Sequence, residues 1–303
     1  MNAEPAILSA RLRAAASELR SAGVADAMAD ARILAAAALG LSREDMLREP
    51  HREMDAAGLA AFDGMIDRRY RREPVARILG SREFRSLDFR LGADTLDPRA
   101  DSETLVDAAL AWGKRFSGPL RVLDVGTGTG CLLLAVLHEL PGATGTGTDI
   151  AAGAVEIAVR NAGLLNLAGR ATFVRADWTD GVAGRFDLVL SNPPYIETAA
   201  IAGLAPEVAV HDPVRALDGG PDGLDAYRAL ARRLGNCLSP EGVAILEIGP
   251  TQCDAVTGIF EAHGFPRLEI RQDFGGRPRC LVFAAQAVSK WLTPVVKKGL
   301  ETP

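Results

Sequence analysis

The segment Val122-Leu123-Asp124-Val125-Gly126-Thr127-Gly128-Thr129-Gly130 joins an apolar run to a loop in which glycine occupies every second position. The apolar run predicts a buried strand, and the residues after the loop have the apolar spacing of a helix. Glycine lacks a Cβ, so the backbone can turn tightly here and approach a ligand closely at the carboxyl end of the strand. A strand, a glycine loop and a helix in this order predict one unit of a ligand-binding α/β sheet.

Predicted strands and helices alternate from residue 120 onward. The strands are seven apolar runs, at residues 121–125, 143–148, 172–175, 186–191, 243–248, 268–272 and 280–285. The helices between them are residues 131–140, 151–162, 225–238 and 252–263, and a turn is predicted at 239–242. This alternation predicts an α/β fold with a doubly wound, mostly parallel seven-stranded sheet.

The chain outside the sheet divides into further segments. The predicted segments are residues 1–73, a helical bundle; residues 74–95, a linker with a β-hairpin; residues 96–285, the sheet domain; and residues 286–303, a flexible tail. The bundle is predicted from narrow, alanine-rich apolar stripes at helical spacing, which end before Pro74. Residues 78–80 and 84–91 carry the glycine and the alternating apolar positions of the hairpin.

The composition excludes several classes of protein. The 303 residues carry a net charge of −5, which argues against a large basic surface for general nucleic-acid binding. The four cysteines form no CxxC pair, so no zinc site is indicated and reduced thiols are expected. No apolar run reaches the length of about 18 residues that a membrane span needs. Residues 1–10 lack the pattern of a secretory signal, and a cytoplasmic protein with no membrane partner is expected.

The tetrapeptide Asn192-Pro193-Pro194-Tyr195 directly follows the predicted strand Phe186–Ser191. Proline has no backbone N–H, so the sheet ladder cannot continue and the carbonyls of Asn192 and Pro193 lose their obvious partners. The Asn192 side-chain oxygen and a backbone carbonyl can accept the two hydrogens of a planar NH2 group, while Tyr195 stacks on its face. We therefore predict that Asn192, Pro193 and Tyr195 bind such a group and turn it toward an electrophile.

Acidic residues lie at or just beyond the carboxyl ends of three of the predicted strands, at the edge where open α/β sheets bind ligands. Asp149 can accept both hydroxyls of a ribose, or it is an exposed strand-end or N-cap carboxylate. Asp177 can meet an adenine amino group while Trp178 stacks on the ring, although a tryptophan is often simply part of the core. Asp124 either orients the amides of the glycine loop or is a structural acid. Together with the loop and Asn192, this order predicts a nucleoside site beside a reaction site.

These motifs resemble those of the protein-(glutamine) methyltransferases that modify peptide-chain release factors, the PrmC or HemK family. The resemblance covers most of residues 1–285 and includes Thr95-Leu96-Asp97-Pro98-Arg99-Ala100-Asp101-Ser102-Glu103, which reads T-L-x-P-R-P-D-T-E in the family. Ala100 and Ser102 depart from that pattern, and Arg85 stands where the family commonly has an aromatic residue. The G-x-G-x-G spacing is similar to the S-adenosylmethionine loop of class I methyltransferases rather than to the NAD loop.

The resemblance implies that residues 96–285 are a class I, Rossmann-like methyltransferase domain that uses S-adenosyl-L-methionine. The implied reaction methylates the side-chain amide nitrogen of the glutamine in the Gly-Gly-Gln motif of a release factor, which residues 1–73 dock. The implied cofactor-binding residues are Gly126, Thr127, Gly128, Thr129, Gly130, Asp149, Asp177, Trp178 and Asn192. The implied substrate-binding residues are Asn192, Pro193, Pro194, Tyr195 and Arg99. Arg99 either lies over the cofactor pocket or forms a salt bridge with Asp101 or Glu103.

Two other functions fit part of the pattern. Adenine and guanine carry planar amino groups too, so a DNA or RNA methyltransferase is one alternative; residues 1–73, however, lack a basic or aromatic-rich module, and no stable nucleic-acid partner is expected. A non-catalytic adaptor that binds a nucleoside is the other, but it has no need of an NH2-binding site. The basic cluster of residues 68, 69, 71 and 72 is either a solvated last helical turn or a contact for an acidic partner.

Overall fold

The computed structural model describes residues 6–273 and 275–285. Contacts within the chain divide these residues into two units. The first unit holds residues 6–82 and 202–212, and the second holds residues 83–201 and 213–285. The predicted tail, residues 286–303, lies outside the described residues.

The first unit is mainly helical. Its elements up to residue 79 are β1 (Ala6–Ile7), α1 (Leu8–Ser21), α2 (Ala27–Leu39), α3 (Arg43–Arg48), β2 (Glu53–Met54), α4 (Ala56–Tyr70) and α5 (Val75–Leu79). Alanines on α1 and α2, such as Ala15 and Ala31, are fully buried, which lets these helices pack closely around Phe62 of α4. The expectation of helix throughout this region was wrong at β1 and β2, which pair antiparallel. Two-residue strands are too short to show an alternating pattern.

The basic cluster at the end of α4 is neutralised inside the first unit. Arg69 contacts Asp30 at 2.8 Å and Glu207 at 3.0 Å, and Arg72 contacts Glu207 at 2.7 Å. Burial alone would raise the pKa of Glu207, but the hydrogen bonds from Arg72 and Arg69 outweigh it and lower this pKa to about 2. Neither sequence interpretation of the cluster holds for Arg69 and Arg72, because both pair with a carboxylate of their own unit. The sequence could not reveal this partner, because Glu207 lies far along the chain from both arginines.

The second unit begins with a hairpin and continues into the α/β sheet. Its elements up to residue 191 are β3 (Ser81–Phe84), β4 (Leu87–Arg90), α6 (Glu103–Gly113), β5 (Arg121–Val125), α7 (Cys131–Glu139), β6 (Thr144–Asp149), α8 (Ala152–Leu164), β7 (Ala171–Arg175) and β8 (Phe186–Ser191). A short helix, α9 (Pro206–Ala209), belongs to the first unit. The remaining elements are α10 (Asp225–Arg233), β9 (Leu238–Glu247), α11 (Cys253–Ala262), β10 (Arg267–Gln272) and β11 (Pro278–Ala284).

The hairpin is present, but its first strand is not where the sequence placed it. Arg85 and Ser86 join β3 to β4, and both have positive φ, at 51° and 59°, as in the two-residue turns that match the twist of a hairpin. Residues 78–80 were expected in the hairpin, whereas they complete α5. The helix ends at Gly80, whose φ of 69° closes the last turn in the left-handed conformation.

The predicted mostly parallel seven-stranded sheet is confirmed. The strand order is β10-β11-β9-β8-β5-β6-β7, and β10 and β11 are the antiparallel strands. Alternate residues of β5 face opposite layers: Val122 packs among α6 and α7, and Leu123 packs among α10 and α11. The carboxyl ends of β5 and β8 are neighbours at the centre, so the glycine loop and residue 192 lie at the same edge of the sheet.

The turn expected at residues 239–242 is a bulge within a strand. Phe186 of β8 lies opposite Leu238, and Leu188 lies opposite Val243, so β9 accommodates extra residues between two ladder positions. Pro240 and Gly242 are the turn signals in this stretch, but they interrupt the pairing without ending the strand. Among the residues described, no helix has both the length and the apolar character needed to cross a bilayer.

Candidate active site

The glycine loop after β5 adopts the conformation for which its glycines are needed. Gly126, Gly128 and Gly130 have φ values of 76°, 54° and 80°, a region that strains residues with a Cβ. The amides of Gly126 and Thr127 donate to the carbonyl of Thr148 at 2.9 and 2.8 Å. The loop is therefore tied back to the end of β6, and its remaining surface faces a cavity.

Asp149 supports the loop directly. One carboxylate oxygen accepts from the amide of Gly128 at 2.9 Å, and the other accepts from the amide of Ala151 at 2.9 Å at the start of α8. The N-cap residue of α8 is Ala151, so Asp149 accepts from the amide of the N-cap residue and is not itself an N-cap carboxylate. Each carboxylate oxygen can accept more than one hydrogen bond, so Asp149 keeps acceptor capacity toward the cavity that it lines.

A cavity of about 210 Å³ at the carboxyl edge of the sheet collects most of the predicted site residues. The predicted residues on its wall are Gly126, Thr127, Gly128, Thr129, Asp149, Asp177, Trp178, Asn192, Pro193, Pro194 and Arg99. Gly130 and Tyr195 do not line it. A Cβ on Gly130 would meet Ala158 of α8 and Phe173 of β7 at 3.3 Å, so this glycine lets the loop pack closely against both elements.

Tyr195 is held behind the cavity wall. Its ring packs at the edge of the core that α10 and α11 form, and burial raises the pKa of its hydroxyl to about 12. The side-chain amide of Gln252 donates to the backbone carbonyls of Tyr195 at 3.0 Å and Gly223 at 3.1 Å. The oxygen of the same amide accepts from Gly249 at 3.0 Å. Gln252 therefore fixes the backbone where the tetrapeptide ends.

Asn192 is oriented by a buried chain of hydrogen bonds. Its Nδ2 donates to the hydroxyl of Ser102 at 3.0 Å, and that hydroxyl donates to Oε2 of Glu247 at 2.6 Å. Ser102 is 3% exposed and Glu247 is 1% exposed. The Oδ1 atom of Asn192 has no hydrogen-bond partner within the described part of the chain, and neither has the carbonyl oxygen of Pro193. These are the two acceptors that the sequence predicted for a planar NH2 group.

Two buried carboxyl groups lie beside the cavity. Burial raises the pKa of Glu247 to about 7, against the opposing effects of the Ser102 hydroxyl and of Arg279. Burial also raises the pKa of Asp124 to about 7, although Thr127 donates to it at 2.7 Å. Asp124 thus contacts a side-chain hydroxyl of the loop, whereas the loop amides are bound by Thr148 and Asp149.

Two known protein families match this chain, one in its helical part and one in its sheet part. The PrmC N-terminal domain matches residues 11–80, and the methyltransferase small domain matches residues 110–220. A release factor glutamine methyltransferase from Rhodospirillum rubrum is 51% identical over 269 residues, which are 89% of this chain and 82% of the relative. One from Agrobacterium fabrum is 46% identical over 281 residues, 92% of this chain and 97% of the relative.

The chain belongs to the release factor glutamine methyltransferase family. It is therefore a methyltransferase, as its motifs predicted. A methyltransferase from Pyrococcus furiosus shares the fold, with a TM-score of 0.50 and 19% identity over 67% of this chain and 91% of that chain.

Within this member of the family, sequence reasoning did not assign a role to three residues of the site: Ser102, Glu247 and Gln252. Ser102 was noted only as a departure from the family's threonine. Glu247 carried the clearest signal, because it is the one carboxylate in the otherwise apolar run of residues 243–248. Asp101, one of the two carboxylates considered as a salt-bridge partner for Arg99, pairs with Arg279 at 3.0 Å.

Proposed function

We propose that the protein transfers the methyl group of S-adenosyl-L-methionine to the side-chain amide nitrogen of a glutamine, that of the Gly-Gly-Gln motif, in peptide-chain release factors. The observation that carries this proposal is the orientation of Asn192, whose Nδ2 is bound to Ser102 while its Oδ1 stays free to accept. A carboxamide NH2 needs two acceptors, and Oδ1 of Asn192 and the carbonyl of Pro193 supply them. The family's relatives, named for this reaction, support the same substrate.

The residues of the cavity fit the proposed cofactor. The left-handed glycines keep the loop free of Cβ atoms, so a nucleoside can approach its backbone closely. Asp149 offers carboxylate oxygens to ribose hydroxyls, and Asp177 and Trp178 offer an acceptor and a ring face to the adenine. Arg99 lines the same cavity and is proposed to lie over the bound cofactor. Bound S-adenosyl-L-methionine would supply a methyl group on a positively charged sulfur, and breaking of the sulfur–methyl bond would release a neutral thioether as the leaving group.

The proposed role of this chain's residues in the reaction is positioning. An amide nitrogen is a weak nucleophile because its lone pair is delocalised into the carbonyl. Two hydrogen-bond acceptors on its N–H groups increase the electron density on nitrogen and fix the direction of the lone pair. The nitrogen gains the methyl group and loses one N–H proton to solvent. We propose that Tyr195 closes the site behind the amide, with its backbone held by Gln252.

The helical bundle, residues 1–73, is the proposed docking unit for the release factor. The match to the PrmC N-terminal domain over residues 11–80 supports this assignment. If the bundle binds the release factor, a short peptide with the Gly-Gly-Gln sequence should have a much higher KM than the whole release factor, with a similar kcat. Equal KM values for the peptide and the whole protein would contradict docking.

The proposed function is tested with purified protein and S-adenosyl-L-methionine that carries a labelled methyl group. Release factor should take up the label at a single glutamine, located by mass spectrometry, and DNA and RNA should not. Asn192→Ala should lower the rate by about 10²–10³, as removal of one preorganised hydrogen-bonding group does in other enzymes, with cofactor affinity retained. Label in DNA or RNA and none in release factor would favour the nucleic-acid alternative. No transfer despite cofactor binding would favour the adaptor.

A further inference from the structure

While Glu247 is ionised, the hydroxyl of Ser102 can satisfy its two neighbours in only one hydrogen-bond direction. It has a single hydrogen, and it lies 2.6 Å from Oε2 of Glu247, which as a carboxylate can only accept. The hydroxyl hydrogen is therefore committed to Glu247. What remains for Asn192 is a lone pair of Oγ, so Asn192 must present a donor, and its Nδ2 lies 3.0 Å away.

This direction decides which end of the Asn192 amide faces the cavity. The oxygen and nitrogen of a carboxamide lie on opposite sides of one planar group, so Nδ2 toward Ser102 directs Oδ1 away from it. The flipped amide would place Oδ1 against an oxygen whose hydrogen is already donated. It would also present N–H groups to a substrate NH2, which is itself a donor, and no hydrogen bond could form.

Glu247 is placed to serve Ser102 rather than an ion pair. The charge of Arg279 lowers the pKa of Glu247, but the guanidinium of Arg279 pairs with Asp101 at 3.0 Å and with Asp273 at 3.4 Å. The Tyr227 hydroxyl donates at 2.9 Å to the backbone carbonyl of Glu247, which fixes the end of β9. The carboxylate accepts from the Ser102 hydroxyl at 2.6 Å. Side-chain hydrogen bonds from Ser102 and Asn192 both oppose the rise in its pKa.

We propose that Ser102 and Glu247 are positioning residues that hold the Asn192 amide with its oxygen toward the substrate nitrogen, and that protonation of Glu247 reverses this orientation. The proposal rests on the proposed function and deepens it. A protonated carboxyl donates to Ser102, and Ser102 then donates to Oδ1 of Asn192. Nδ2 of Asn192 would face the cavity, where a substrate NH2 cannot bind to it.

The pH at which the Asn192 amide would reverse its orientation lies in the neutral range. Burial raises the pKa of Glu247 to about 7, Arg279 opposes this, and Asp101 adds to it. The other titratable groups that face Glu247 are uncharged at neutral pH; they are Tyr195, Tyr227, Cys131 and Cys280, each with its pKa raised by burial. The rate of methyl transfer should therefore fall as the pH decreases through about 7.

The test compares Ser102→Ala, Ser102→Thr and Glu247→Gln with the wild type in single-turnover methylation of release factor from pH 5.5 to 8.5. Ser102→Ala should lower the rate by about tenfold to a hundredfold at pH 8, with the affinity for S-adenosyl-L-methionine unchanged by calorimetry. Ser102→Thr retains the hydroxyl, as the family pattern does, and should retain the rate. Glu247→Gln can donate or accept, so its rate should be reduced at pH 8 and should no longer fall between pH 8 and 6.

Two results would overturn the proposal. One is a folded Ser102→Ala variant with the wild-type rate at pH 8. The other is a Glu247→Gln variant that keeps the wild-type decline near pH 7, which would assign the decline to Asp124. Should Ser102→Ala fail to fold, the pH profile of Glu247→Gln still decides. Failure of the proposed function has a different signature, because wild-type protein would then leave release factor unmethylated at every pH.

Discussion

Replacing Glu247 with glutamine should have a more favourable effect on the free energy of unfolding of the second unit at pH 8 than at pH 5. The same change is expected to impair the reaction. Glu247 is 1% exposed, and burial raises its pKa from the ordinary value of 4.5 to about 7. The folded protein therefore binds a proton between pH 4.5 and 7 that the unfolded chain releases. The stability associated with that proton is complete below pH 4.5 and is lost as the pH rises through 7.

The magnitude follows from the two pKa values. Each unit of difference corresponds to about 1.4 kcal/mol, so the free energy of unfolding of the wild type should lose about 2 to 3 kcal/mol from this residue between pH 5 and pH 8. Glutamine has no such dependence. If the buried Nε2 of the glutamine finds no acceptor, it lowers the free energy of unfolding by the same amount at both pH values. This cost therefore cancels when the effect of the substitution at pH 5 is subtracted from its effect at pH 8. For a domain of about 200 residues, the change corresponds to about 5 to 10 °C in Tm.

Urea denaturation of both proteins at pH 5 and pH 8 measures this difference. The described tryptophans, Trp112 and Trp178, lie in the second unit, so their fluorescence reports its unfolding. Glu156→Gln is the matched control, because Glu156 is exposed on α8, and its effect should be the same at both pH values. A Glu247→Gln effect that is equal at pH 5 and pH 8 would refute the reasoning, since it would show that the burial of the carboxyl is not expressed as a shifted pKa.

Three further changes test other parts of the structure. Gly223→Ala should destabilise the protein by about 1–2 kcal/mol from its φ of 70° and slow methylation in initial-rate assays, because a Cβ would lie 2.5 Å from the carbonyl oxygen of Tyr195. Glu207→Gln should cost the first unit about 1–2 kcal/mol near pH 7 in urea denaturation followed by far-UV circular dichroism. That cost should disappear as the pH falls from 4.5 toward 2, where wild-type Glu207 also loses its charge. Asp149→Ala should weaken S-adenosyl-L-methionine binding by about tenfold in calorimetry, because the support of the Gly128 amide is lost.

Each of these changes has a control or a contradicting outcome. Gly163→Ala lies in α8 with no atom within 4 Å of the added Cβ and should keep the wild-type rate, whereas a normal rate in Gly223→Ala would contradict the contact with Tyr195. Glu44→Gln removes an exposed glutamate that lies 3.7 Å from Arg48 and should change stability little. If Asp149→Ala binds the cofactor as tightly as the wild type, Asp149 has no part in holding the loop or the ribose.

The sheet could be predicted from the sequence because its strands are apolar runs separated by helical stretches, and the loop could be predicted because three glycines alternate after the first run. The short pair of β1 and β2 could not, since two residues carry no periodicity. The bulge in β9 could not either: Pro240 and Gly242 predict a turn, and only the pairing of both flanks with β8 shows that the strand continues. The contact of Arg69 with Glu207 joins residues 138 positions apart, so no local pattern contains it.

The residues that position Asn192 are close in space but far apart in the sequence. Ser102 lies 90 residues before Asn192 and 145 residues before Glu247, so spacing alone cannot connect the three. Burial of a carboxylate is costly unless hydrogen bonds compensate it, and Glu247 stands at the end of a run that the sequence already predicted to be buried. A carboxylate in that position requires a donor at the carboxyl edge of the sheet, and a small hydroxyl residue just before a helix that packs on the same edge is a natural candidate. The departure from threonine to serine at position 102 keeps that hydroxyl, which is why we expect the substitution to leave the orientation of Asn192 unchanged.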